Sequence, residues 1–251
     1  MNKVVGSLLL LVLCVSCGTS YNIRGTSDVS TLDGRMLYLK IYDDSEFKAI
    51  DSCDVVHGQF AFSGSIDSAR MATLFMDDNG ILPVIVERGD IEITINNTEQ
   101  RVGGTPYNEK LFSFMDSYRQ LTNRLEDLSH QQLQAIMDGE DEREVNRRLN
   151  AEVQSIAKEE DELVTTFISE NFDNVLGPGV FFLMTANTRY PMLQPWIEHL
   201  WSNATDRFKN DPYVRDYYEK AQQNEAIMNG TAMPDLPMPP EGPTPNQMAR
   251  P

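Results

Sequence analysis

Residues 55–64 read Val55-Val56-His57-Gly58-Gln59-Phe60-Ala61-Phe62-Ser63-Gly64, and their reading decides the class of fold to expect. His57-Gly58 is a two-residue turn signal close to Asn-Gly, set between runs of strand-forming residues. After it, Phe60, Phe62 and Ile66 fall on one face of a strand over residues 59–66, and residues 47–56 offer a hairpin partner before it. Working outward, Met-Leu-Tyr-Leu-Lys-Ile-Tyr at 36–42 alternates in the same way, with Leu37, Leu39 and Ile41 on one face. Residues 71–76 form another strand, closed by Asp77-Asp78-Asn79-Gly80. Residues 82–87 and 91–95 are joined across Gly89-Asp90, and Pro83 puts its strand at an edge or at a strand start. Short strands spaced about 8–12 residues apart predict an antiparallel β-sandwich. Its expected limits are residues 21–104.

Beyond Gly104 the apolar period lengthens from two to between three and four. Thr105 is a good N-cap and Pro106 a good first helical residue. Leu111, Phe114, Tyr118, Leu121, Leu125 and Leu128 then make a heptad seam. Ser129 is expected to cap a further segment from His130, with Leu133, Ile136 and Met137 on one face. Asp138-Gly139-Glu140-Asp141 breaks the helix. A second long helix is expected over about 142–171, with Val145, Leu149, Val153, Ile156, Leu163 and Phe167 on its stripe. The two should form a helical hairpin whose seam packs inside the monomer. Shorter helices are expected at 179–188, 192–201 and 212–228. The fold class is therefore α+β, with a helical region over 105–229 and a Pro-rich extended or disordered tail over 230–251.

The chain opens with a different signal. Lys3 precedes a stretch, residues 4–15, that is apolar apart from Gly6, Ser7 and Cys14. It falls short of the ~18 apolar residues that suggest a spanning helix, and has the size of a signal-peptide core. Leu13-Cys14-Val15-Ser16-Cys17-Gly18 resembles a lipobox, with one departure: Cys14 stands where leucine is usual. The expectation is a signal peptide over 1–16, acylation of Cys17 and a tether over 17–20. The plainer alternative is an ordinary secretory signal with a cysteine nearby. No acidic run follows Cys17, which favours the periplasmic face of the envelope over the outer surface.

Charge narrows the partners. The chain carries a formal -17, and losing residues 1–16 removes one lysine and no acid, leaving about -18. Such a surface repels nucleic acid and anionic headgroups. The acyl group, rather than a basic patch, must therefore hold the protein to a membrane. Once Cys14 is cleaved and Cys17 acylated, Cys53 is left alone, with no disulfide partner in the chain.

Several short motifs recur in order: Tyr21-x-Ile23-x-Gly25, then Gly34 with Tyr38-Leu39, Ile50-Asp51-Ser52, and Val55-x-x-Gly58-x-Phe60-x-Phe62-x-Gly64. Val86-Glu87-x-Gly89-x-Ile91, Val102-x-Gly104-Thr105 and Asn108 follow. Together they resemble the uncharacterised N-terminal domain of envelope lipoproteins that carry a C-terminal thioredoxin-like or peroxiredoxin-type domain. The resemblance implies no site residues, because that N-terminal domain has no agreed activity. It also implies that residues 105–229 are the region that joins the two domains in such proteins. Residues 230–236 resemble the lead-in to the thioredoxin-like domain, and the expectation is a chain without that domain.

The remaining candidates for chemistry are weak. Cys14-Val15-Ser16-Cys17 has redox spacing but lies in the leader. Cys53 reads as a small buried hydrophobe more readily than as a reactive thiol. His57, His130 and His199 are scattered, and the acidic run 138–144 lacks the spacing of a calcium loop. No phosphate loop or nucleophile elbow occurs. Trp196, Ile197, Leu200, Trp201, Phe208, Tyr213, Tyr217 and Tyr218 read as helix packing, or as a peptide or glycan surface. Asp67-Ser68-Ala69 fits a short O-glycosylation pattern. The expectation is a lipid-anchored, non-enzymatic binding or accessory module of the cell envelope, without metal or cofactor. The alternatives are a partner of a separate thioredoxin-like protein in thiol-disulfide or peroxide defence, or a self-associating scaffold.

Overall fold

The computed structural model describes residues 19–233. The leader, Cys17, the first part of the tether and the proline-rich end of the tail lie outside them. The chain divides into two compact units at Arg119/Gln120, inside a long helix.

The first unit holds eight strands: β1 (Thr19–Ser27), β2 (Met36–Asp43), β3 (Glu46–Asp54), β4 (Gln59–Ile66), β5 (Arg70–Met76), β6 (Asn79–Val86), β7 (Gly89–Ile95) and β8 (Gln100–Gly103). They form two four-stranded sheets, ordered β4-β1-β7-β8 and β3-β2-β5-β6. The α+β reading holds, as does the expected alternation. Leu37, Leu39 and Ile41 are buried from β2, Phe60 and Phe62 from β4, and Ile91, Ile93 and Ile95 from β7. β6 is an edge strand and Pro83 lies in it, as expected.

Two features differ from the sequence reading. β1 and β7 pair in parallel, so the first sheet is mixed. The 57–58 turn closes no hairpin ladder either. It is tight, with φ of 53° at His57 and 70° at Gly58, and one bridge, Val56 to Gln59, spans it. The strands on its two sides belong to different sheets: β3 pairs with β2 and β4 with β1. The cause is side-chain fit. In the β1–β4 ladder Tyr21 stands opposite Gly64, Ile23 opposite Phe62 and Gly25 opposite Phe60. A Cβ on Gly25 would come within 2.0 Å of the Phe60 ring, so that glycine leaves room for an aromatic laid across it.

α1 (Pro106–Met137) runs through position 129 without a break. Ser129 does not cap a new helix; its hydroxyl donates to Leu125 O, one turn back, at 3.1 Å. Within the first unit α1 buries Leu111, Phe112 and Phe114.

The second unit begins with the rest of α1 and with α2 (Glu142–Ser169). The break between them falls where expected: Gly139 has φ 90°, and the Asp141 carboxylate accepts from Arg143 N and Glu144 N as the N-cap. Leu121, Leu128 and Ile156 pack into one cluster, with Leu125, Leu149 and Leu163 against it. Arg124 reaches Glu159 at 2.6 Å, and the Gln132 amide donates to Asn146. From Leu121 on, the seam therefore packs against α2 of the same chain, whereas Leu111 and Phe114 are buried within the first unit. α3 (Leu176–Thr185), α4 (Pro195–Asn203), α5 (Asp206–Lys209) and α6 (Pro212–Met228) complete the unit. α5 is a single turn whose N-cap is Thr205, too short for apolar periodicity to reveal.

Candidate functional site

The densest set of buried polar side chains in the first unit is Glu87, Thr105 and Asn108, exposed by 8%, 4% and 0%. It forms where β6, the link after it and the start of α1 meet. A helix N-terminus has backbone N–H groups without intrahelical partners and favours negative charge. Glu87 meets both needs, since its Oε1 accepts from Tyr107 N at 2.9 Å and Asn108 N at 3.3 Å. An edge strand leaves N–H and C=O groups unpaired along its free side. Asn108 supplies what a ninth strand would. Its Oδ1 accepts from Ile85 N at 2.8 Å and its Nδ2 donates to Ile85 O at 2.7 Å. The same Nδ2 donates to Thr105 Oγ1 at 2.8 Å.

The approach to this join is equally constrained. Gly104 has φ 85°, and a Cβ there would sit 2.5 Å from Asp90 O. Its N–H donates to Glu109 Oε1 at 3.1 Å, while Arg101 holds the other Glu109 oxygen at 3.1 Å. Among the described residues no buried side-chain nitrogen or oxygen lacks a partner. The join is saturated. What it can do chemically is clasp a helix to a sheet edge.

The other sequence candidates are dispersed. Cys17 and Cys14 lie outside the described residues. Cys53 is half-buried on β3. Burial, aided by Asp51 and Asp54, pushes its thiol up to about 11 against a lowering hydrogen bond at the Ala61 backbone. Tyr21 Oη donates to Asp51 Oδ2 at 3.4 Å across the two sheets. Burial, with Asp51 second, raises the phenol above its ordinary value. His57 is exposed in its turn, His130 on α1 and His199 on α4. Among the described residues no three His, Cys, Asp or Glu side chains are grouped to hold a metal. Ser68 is exposed in the β4–β5 turn.

In the second unit the aromatic residues pack on one another. Phe181 meets Phe208, Tyr213 and Tyr217 at centroid distances of 5.8, 6.2 and 5.3 Å. Trp201 stacks on Tyr218 at 3.7 Å, and Lys209 Nζ lies 5.7 Å from the Trp201 ring centre. Both partners thus lie against the indole, which argues against a stacking platform for a sugar. Asp211, the N-cap of α6, is raised above the usual carboxylate range by burial, against N–H donors from Val214 and Tyr213. Along α2 an open groove of about 400 Å³ is lined by Glu159, Glu162, Leu163, Thr166, Phe167 and Glu170. Arg124 holds Glu159 below its ordinary value.

Residues 21–111 match the family model of a domain of unknown function, DUF4369. The match spans the strands and ends shortly after the Asn108 clasp. No curated protein matches the chain. Among the described residues no helix is long and apolar enough to cross a membrane. The residues that carried the resemblance meet in pairs: Tyr21 with Gly64, Gly25 with Phe60, and Glu87 and Thr105 with the first turn of α1. Sequence reasoning put the cap on Thr105, but Glu87 accepts the N–H groups of Tyr107 and Asn108, while the Thr105 hydroxyl accepts from Asn108 Nδ2. Glu87 was missed because the helix starts 19 residues later.

Proposed function

We propose that this protein is a lipid-anchored component of the cell envelope, held by acyl chains on Cys17, and that its strand domain is a non-enzymatic binding or accessory module. The anchor rests on the leader and on Cys17 in its lipobox-like setting. The non-catalytic reading rests on one observation: the polar residues of the recurring motifs bond to backbone and to each other inside the fold. Cys53 supports the same reading, because a thiol pushed up to about 11 is protonated at neutral pH and a poor nucleophile. That disfavours a thiol-exchange role for this chain.

Metabolic labelling with a fatty-acid analogue tests the anchor. Cys17→Ser is expected to abolish incorporation, and label retained in that variant would refute the assignment. An insulin-reduction assay with dithiothreitol tests the second part. No acceleration is expected, and a rate that depends on Cys53 would overturn the non-enzymatic reading.

A further inference from the structure

We propose that the end of the strand domain where β1 begins is a lipid-facing surface, on which Arg70 and Arg88 turn the β5–β6 side toward an anionic leaflet. The proposal rests on acylation of Cys17. β1 begins at Thr19, two residues after that cysteine, which limits the separation to about 7 Å. The strand register shows what shares this end. Thr19 stands opposite Ile66, and β7 starts with Gly89 opposite Tyr21. The β4–β5 turn and the 87–88 link are therefore at the anchor end. Arg70 opens β5 opposite Val86, and Arg88 lies two residues beyond Val86. Both arginines are exposed. Among the described residues neither enters an ion pair, whereas Arg24 pairs with Asp90, Arg35 with Asp77 and Arg101 with Glu109.

The acids at this end are placed differently. Asp43, Asp44 and Glu46 lie at the β2–β3 turn, where Lys48 pairs with the first two. Asp67 lies in the β4–β5 turn three residues before Arg70, and Asp90, near the start of β7, is paired with Arg24. In the order β3-β2-β5-β6 the acidic turn and the arginines occupy opposite sides. The turns at the other end are a strand away, roughly 25 Å. That is several Debye lengths at physiological salt, about 8 Å each, so acids such as Asp78 barely sense the leaflet. The acyl chains hold the protein, and charge sets its tilt. Each arginine near an anionic leaflet favours approach by about fivefold.

The test uses acylated protein in vesicles with a nitroxide on the lipid headgroup, Cys53→Ser throughout, and a fluorophore at Ser68→Cys or Ser45→Cys. On phosphatidylcholine with phosphatidylglycerol, the label at 68 should be quenched more than the label at 45. The difference should vanish on phosphatidylcholine alone and in Arg70→Glu/Arg88→Glu. Equal quenching on the anionic vesicles, or a difference that survives charge reversal, overturns the tilt. Mass measurement of the same samples separates the two claims. No acyl group on Cys17 overturns the anchor and the surface together, whereas an acylated protein without the quenching difference overturns the surface alone.

Discussion

The strand domain and the helical hairpin solve the same problem by different means. In the hairpin, Leu121, Leu128 and Ile156 share one apolar cluster, and the polar links across it, such as Arg124–Glu159, are exposed. Non-directional burial holds it, and residues of similar size and polarity can exchange with little loss. In the strand domain, particular atoms must meet: the Asn108 amide with both backbone groups of Ile85, Glu87 with two N–H groups, and the Phe60 ring with the bare face of Gly25. The family match covers the region of exacting pairs and ends at Leu111, the first residue of the seam. Within the matched stretch the buried polar side chains bond to backbone groups and to one another.

Asn108 should show the largest effect. Asn108→Leu keeps the branched side-chain shape but leaves the Ile85 N–H and C=O buried without partners. At about 1–3 kcal/mol for each orphaned group, the loss should be roughly 2–6 kcal/mol in denaturant unfolding. Leu128→Met in the seam should cost less than about 1.5 kcal/mol, while Leu128→Ala should cost about 2–5 kcal/mol. If Asn108→Leu proves as mild as Leu128→Met, the contrast between the two regions fails.

Gly25→Ala comes next. Its methyl would overlap the Phe60 ring, so a loss of about 1–3 kcal/mol is expected. Gly25→Ala/Phe60→Leu should recover part of it, and additive losses would show that the two residues are not coupled.

Cys53 sharpens the comparison with pH. Its thiol moves from an ordinary 9.0 to about 11 in the fold. Below pH 9.0 both states hold the proton and the contribution is complete; as pH rises through about 11 it is lost, because the unfolded thiol ionises first. Stability followed against pH should fall over this window in the wild type and less steeply in Cys53→Ser. Identical curves would mean that the thiol is not held as described.

Much of this architecture was legible in the residues. The two-residue period exposed the strands, the seam exposed the hairpin, and Asp138-Gly139-Glu140-Asp141 marked its turn. Strand partners were less legible, since a tight turn such as His57-Gly58 fixes a reversal but not the sheet each arm joins. That choice lies in the fit of Phe60 over Gly25, contributed by a strand more than 30 residues earlier. The parallel β1–β7 pairing is also long-range and leaves no local mark. Glu87 has no local signal, because the N-terminus that it caps begins at Pro106.

Hydrogen exchange at the Ile85 amide tests the central claim most directly. That N–H belongs to an edge strand, and its partner is a side chain. In the wild type it should be protected like the amides inside the β5–β6 ladder, and Asn108→Ala should selectively accelerate its exchange. A freely exchanging Ile85 amide in the wild type, or one unchanged in Asn108→Ala, would contradict the account of how these motif residues are used.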